Sequence, residues 1–383
     1  MGLLKMTKKP MNTRKSVYEM TLREKETFVQ AILKLKYTPS PISGNTWDTY
    51  VKWHQEAWFF NPIPAEGEGN GSYLSYSHFC PAFYPWHRQY LRLLELDLQA
   101  ISGDASLSIP YWDWAMDQAL LRHPNPKKRK KPEDLPIWDA GFMGGNGDSN
   151  DDWRVAYGPF SYKLGRWPLV IRTPMDFDST QPRDSFMRAE PDQDLRRQFG
   201  GGYIYTELEL PSLEEVQAVL KTVPYDSPPW NSEKQSVGFR KASERLHGRG
   251  HMWVGWSMSP WTSPNDPSFF LHHSNVDRLW AKWQDLHPDL PYLPQEPIPE
   301  FPGQSIEEIM TPFGVSVSSV LDYREMGYQY DGKALDDGHP IPDTEIPVDG
   351  THPGHHGHGT HSGHHEAASN RPEEAIRAKF LLD

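Results

Sequence analysis

The sequence predicts a mainly α fold: a four-helix bundle with long irregular loops and few short strands. Three observations lead there. Apolar residues recur at helical spacing in separate islands, histidines fall in phase with those apolar faces, and proline and aromatic residues are both in excess, with 36 Pro beside 15 Trp, 17 Tyr and 16 Phe. Large rings packed under long connections account for the last of these, whereas a disordered chain would be poor in aromatics.

The islands follow in order. Tyr18 to Lys36 reads as a first helix. Thr46 to Phe60 reads as a second, with Trp47, Tyr50, Val51 and Trp58 on one face and His54 among them. Trp86 to Ile101 carries Leu91, Leu94, Leu98 and Ile101, with His87 one turn before Leu91. Residues 115 to 235 hold few periodic stretches and read as long loops with one short helix near Ser212 to Leu220; such length without regular structure points to function or disorder. Periodicity returns at Val237 to Met252, with Phe239, Leu246, His247 and His251 on one side. It returns again at Ser268 to Gln284, through Phe269, His273, Val276, Trp280 and Trp283. A short helix at Pro372 to Leu382 closes the chain. No repeat of solenoid or propeller length is found.

At 383 residues the chain is long enough for one large domain with extensions. Its net charge of −12 argues against nucleic acid and against an anionic membrane surface as partners. The single cysteine, Cys80, cannot form an internal disulfide, and no apolar run reaches the roughly 18 residues of a membrane span. Met1 to Lys15 carries lysines without the apolar stretch of a secretory signal, so the expected location is cytoplasmic. The basic tract Lys127 to Lys131 reads as a solvated loop.

Histidine carries the chemical signal. Of 17, seven lie in a Gly/Pro/His-rich tail, where they either bind divalent metal or are simply solvated. Most of the others form two blocks. The first is His54, His78 and His87; the second is His247 and His251, four apart on one helix, followed by the adjacent pair His272 and His273. A lone inward histidine is usually a hydrogen-bonded core residue. Several on otherwise apolar faces are different, because burying unpaired imidazoles costs about 1–3 kcal/mol each. An i, i+4 pair joined by a third ring from a neighbouring helix makes a three-nitrogen set, and two such sets imply two metal ions. His247-Gly-Arg-Gly-His251 lacks the glutamate of a zinc protease motif, and one Glu-x-x-His (Glu244 to His247) cannot supply the carboxylates of a di-iron bundle. All-imidazole coordination suits copper, zinc, iron or nickel. Helical phase alone does not separate His272 from His273.

The stretch His78 to Glu95 (HFCPAFYPWHRQYLRLLE) and the stretch Leu246 to Gln284 (LHGRGHMWVGW…SPNDPSFFLHHSNVDRLWAKWQ) resemble the two copper-binding segments of tyrosinases and related type-3 dinuclear copper proteins, the short bacterial type in particular. The resemblance extends to the Arg14 region before them and to Tyr328-Gln329-Tyr330 after them. It implies a catalytic domain over 14–330, an N-terminal extension over 1–13 and a mobile extension over 331–383.

Carried over residue by residue, the resemblance makes His54, His78 and His87 the ligands of one copper and His247, His251 and His273 those of the other. His272 becomes a neighbour, and Asn275 and Asp277 become groups that orient ligand rings. It further implies two copper ions per chain, O2 as co-substrate, a small phenolic or catecholic substrate and room for a copper-delivery protein as partner. The expected activity is hydroxylation of monophenols and oxidation of o-diphenols to o-quinones; a catechol oxidase, a hemocyanin-like O2 carrier and a structural zinc protein are the alternatives.

Hydroxylation requires a phenol with a pKa near 10 to lose its proton. The resemblance assigns Glu244 to hold the water that takes it, with an exposed Glu244 paired to Arg240 or Arg249 as the alternative; Gly248 stands where some strong phenol hydroxylases carry Asn. Gly248, Met252, Met258, Ser259 and Thr262 are the expected substrate gate. Cys80 follows His78 by two, in contrast to relatives that link a cysteine to a ligand ring, so no thioether is expected. Arg14 and the Tyr328 to Tyr330 element are expected to close the domain by a cation–aromatic contact.

Overall fold

The computed structural model describes residues 11–59, 75–173, 190, 192–201, 208–230, 236–299 and 301–342. The expected helix at Pro372 to Leu382, the histidine-rich tail and most of the N-terminal extension lie outside them.

Seven α-helices occur among the described residues: α1 (Leu22–Tyr37), α2 (Thr46–Phe59), α3 (Phe83–Ser102), α4 (Trp114–Leu121), α5 (Leu213–Leu220), α6 (Phe239–Val254) and α7 (Ser268–Leu286). Four of them, α2, α3, α6 and α7, carry the histidines of the two blocks except His78 and form the bundle. α1 packs on α2 and α3, α3 on α7, and α6 on α7. The core between them is aromatic: Trp47, Trp86, Trp112, Trp114 and Trp280 are fully buried, each contributing about 3 kcal/mol by removal from water. No helix among the described residues is long and apolar enough to cross a membrane.

Local chemistry sets the helix ends. α1 starts later than its periodicity suggests because Thr21 caps it in a box with Glu24, and a short 3-10 turn (Val17–Glu19) precedes it. α5 begins after an equivalent Ser212–Glu215 box. α4 was not expected, since Trp-Ala-Met-Asp-Gln-Ala-Leu-Leu is buried nearly all round and shows no amphipathic stripe. It starts at Asp113, whose side chain accepts the Met116 amide at 3.2 Å.

The strands are short, as expected: β1 (Asn12–Arg14), β2 (Pro39–Ser40), β3 (Gly44–Asn45), β4 (Ile309–Met310), β5 (Val315–Ser316) and β6 (Tyr328–Tyr330). β2 pairs with β3 and β4 with β5, both antiparallel, while β1 and β6 pair in parallel with Arg14 opposite Tyr330. That pairing brings the two ends of the domain together. Arg14 is fully buried there, 3.0 Å from Glu95 and 3.1 Å from Asp277, with its guanidinium 3.7 Å above the Tyr328 ring.

Packing continues past Tyr330 into the described residues that follow it. Asp331 accepts the Ser16 amide at 2.9 Å and the Tyr111 hydroxyl at 2.6 Å, and Asp336 pairs with Arg278 at 2.8 Å. The reason is charge: Arg278 is buried on α7 and the nearest carboxylates come from this segment.

Candidate dinuclear metal centre

Two groups of buried histidines meet in the bundle: His54, His78 and His87, and His247, His251, His272 and His273. In the first, ring centroids lie 5.0 Å apart for His54–His78, 4.9 Å for His78–His87 and 5.8 Å for His54–His87. In the second, the Nε2 atoms of His247, His251 and His273 converge at 2.9, 3.1 and 3.2 Å from one another. A circle through three such atoms has a radius of about 1.8 Å, close to the roughly 2.0 Å of a metal–imidazole bond. The two sets face each other, with His87 stacked on His273 at 4.2 Å and 18°.

Backbone carbonyls hold several rings from behind. His54 Nδ1 donates to the Trp261 carbonyl (2.6 Å), His87 Nδ1 to Phe83 (2.7 Å) and His251 Nδ1 to Met258 (2.7 Å). With the proton on Nδ1, the lone pair sits on Nε2 and faces the gap. His54 Nε2 and His87 Nε2 are buried there with no protein partner. Burial also pushes the imidazolium forms out of range, His54 down to about 3 and His251 down to about 4, so the rings are neutral near pH 7. Neutral, converging and otherwise unsatisfied nitrogens are what a metal pair needs, and the residues fit two copper ions.

The structure also distinguishes the two adjacent histidines of α7. The indole N–H of Trp114 donates to His272 Nδ1 at 3.0 Å, and an indole only donates, so the His272 proton is on Nε2 and that atom has no lone pair to offer. Gly250 makes room for this ring: a Cβ there would lie 2.4 Å from His272 Cε1.

Other residues expected near the site have partners of their own. Asn275 accepts from Arg278 Nε (2.8 Å), and Asp277 accepts from Arg14, Arg88, Tyr328 and Tyr330. Two buried guanidiniums, those of Arg14 and Arg88, hold the Asp277 carboxylate at the domain closure. Glu244 is buried, not exposed, and its carboxylate is engaged by protein donors: the Phe79 amide at 2.6 Å on one oxygen and Arg240 at 2.9 Å on the other. Arg249 pairs instead with Glu215.

Of the expected gate, Met258 and Thr262 are fully buried, Met252 is 7 % exposed, and Gly248 is buried beside His247. The Thr262 hydroxyl is bound to Glu190 (3.0 Å) and Thr173 (2.8 Å), which makes it an anchor of the loop whose Trp261 carbonyl holds His54. Ser259 is half-buried. Cys80 is a free, buried thiol packed with Ala82 and Phe301, consistent with a small core residue, and burial pushes its pKa up.

Two phenylalanines were not recognised in the sequence as part of the site. Phe269 stacks on His273 at 4.1 Å and lies 5.0 Å from His54, and Phe83 lies 4.8 Å from His87 and 5.0 Å from His247. Each stands four residues before a histidine of its own helix, a spacing that was available but looked like ordinary core.

Comparison with known proteins agrees with this geometry. The family model described as the common central domain of tyrosinase matches residues 44–286. A tyrosinase of Streptomyces antibioticus is 35% identical over 326 residues, covering 84% of this chain and 100% of its own. A grixazone synthase of Streptomyces griseus is 33% identical over 341 residues, covering 84% of this chain and 99% of its own. Among solved structures, a mutant polyphenol oxidase from Thermothelomyces thermophila shares the fold, with a TM-score of 0.55 at 18% identity over 84% of this chain and 88% of that one.

Proposed function

The chain belongs to the tyrosinase family of copper oxidases, and from that premise we propose that it hydroxylates monophenols to o-diphenols and oxidises o-diphenols to o-quinones, using O2. His54, His78 and His87 hold one copper in this reading, and His247, His251 and His273 the other. When bound, the copper pair supplies the redox chemistry, activating O2 and accepting electrons from the ring. The protein supplies position. Carbonyls fix the imidazoles, and the Phe83 and Phe269 rings pack against them.

The observation that carries the proposal is the stacked approach of His87 and His273, which brings the two triads within reach of one small molecule. Relatives named tyrosinase, matched over nearly their full length, support the hydroxylation step. A second reading, catechol oxidation with weak hydroxylation, is favoured by two observations: the Glu244 oxygens are already engaged, and Gly248 offers no side chain to hold a water.

Oxygen uptake and quinone absorbance of the copper-loaded protein, with a monophenol and with the matching catechol, test the proposal. Turnover of both is expected. Turnover of catechol alone establishes the second reading, and turnover of neither removes the enzymatic one.

A further inference from the structure

Of the six histidines assigned to copper, five stand on helices and one, His78, does not. It lies in the irregular segment 76–82 ahead of α3, where no ladder of helical hydrogen bonds fixes its backbone. The Tyr76 amide donates to the Ala57 carbonyl at 3.0 Å, and side chains hold the rest. Ser75 Oγ accepts the amides of Ser77 and His78 at 3.2 and 3.1 Å, Tyr225 donates to the Pro81 carbonyl at 2.6 Å, and Gln304 accepts the Ala82 amide at 2.9 Å. Ser77 Oγ lies 2.8 Å from His78 Nδ1, and on the other side of the ligand Glu244 Oε1 accepts the Phe79 amide at 2.6 Å. Phe79 has φ +57°, a left-handed conformation that a bulky residue adopts only where its surroundings force it.

Glu244 is also the charged member of this set. Its other oxygen takes Arg240 at 2.9 Å, and Arg240 in turn is gripped by Asp226 at 2.7 and 3.0 Å, all three fully or almost fully buried. A carboxylate accepting an amide makes a stronger, charge-assisted bond than a neutral acceptor. Glu244 stands three residues before His247, so α6 carries two histidines of the second triad and, through Glu244, grips the loop of the first.

We propose that Glu244 is a positioning residue: it holds the His78 loop in place from the helix of the opposite triad, so that a single helix sets both copper sites. The inference rests on the two-copper reading of the site and not on which phenols are turned over. Copper uptake tests it directly, whatever the oxidase assays give.

Copper is titrated into the full-length apoprotein by calorimetry, with His54→Ala marking which binding step belongs to the first triad. Glu244→Ala is expected to weaken that step by about ten-fold or more and to leave the second-triad step unchanged. Glu244→Gln, which retains a carbonyl oxygen for the Phe79 amide, is expected to restore it to within about three-fold of wild type. Unchanged steps in Glu244→Ala, equal loss of both, or no recovery in Glu244→Gln each overturn the proposal. Should Glu244→Ala fail to fold, hydrogen exchange of the wild-type apoprotein decides: the Phe79 amide is expected to exchange roughly a hundred-fold more slowly than an open loop, and exchange at the open-loop rate overturns it.

Discussion

Trp114 donates its indole N–H to Nδ1 of His272 at 3.0 Å, and this bond separates two histidines that the helix itself presents side by side. His273, the next residue, has its Nε2 3.1 Å from that of His247 and 3.2 Å from that of His251, while His272 has given up its lone pair to the indole. His273→Ala is therefore expected to reduce copper from two ions per chain to about one, and His272→Ala to retain both. Elemental analysis after desalting reads the difference; equal losses in the two variants would remove the distinction. Trp114→Phe leaves the His272 nitrogen unsatisfied and is expected to lower stability by about 1–3 kcal/mol in urea unfolding.

Gly250 is the second support of the same ring. Alanine there gains about 1 kcal/mol of helix propensity, but its Cβ would meet His272 Cε1 at 2.4 Å, against a ring that Trp114 holds in place. Overpacking of this kind costs about 1–3 kcal/mol, so the clash outweighs the propensity and Gly250→Ala is expected to destabilise. A raised unfolding midpoint in Gly250→Ala would show that the ring yields freely.

The domain closure offers a larger effect. Arg14 is buried among Glu95, Asp277 and Tyr330, and its guanidinium covers Tyr328. Arg14→Met leaves buried carboxylates short of a partner, although Arg92 remains for Glu95 and Arg88 for Asp277. Removing one member of a buried ion pair costs about 3–5 kcal/mol, and the remaining partners place the expectation near the lower end. Denaturant unfolding with an unchanged slope checks it.

Asp117 supplies the pH dependence. Burial raises its carboxyl from 3.8 to about 7, even though the Tyr18 hydroxyl and the Trp112 indole both donate to it. A folded-state pKa above the unfolded one contributes stability that is complete below about pH 4 and is lost as pH rises through about 7. Asp117→Asn does not ionise, so its stability relative to wild type is expected to improve across that window, by on the order of 2–4 kcal/mol at most. Paired melting curves of the apoproteins from pH 4 to pH 8 read the trend; a constant offset would show that Asp117 does not titrate there.

The helices that matter and the two blocks of histidine are legible in the order of residues alone. Apolar spacing is a property of one helix, and it places His54, His87, His247, His251 and His273 on inward faces before any packing is known. Whatever depends on a partner distant in the chain had to wait for the folded molecule. Packing gives Asp277 to Arg14, 263 residues away, ties His272 to a tryptophan 158 residues back, and turns Glu244 toward an amide 165 residues back. No periodic pattern records such contacts, because a hydrogen bond depends on where two groups meet in space, whereas helical phase depends only on neighbours along the chain. The same reason hid α4: a helix buried nearly all round carries no stripe, and only the surrounding aromatic core shows why those residues fold there.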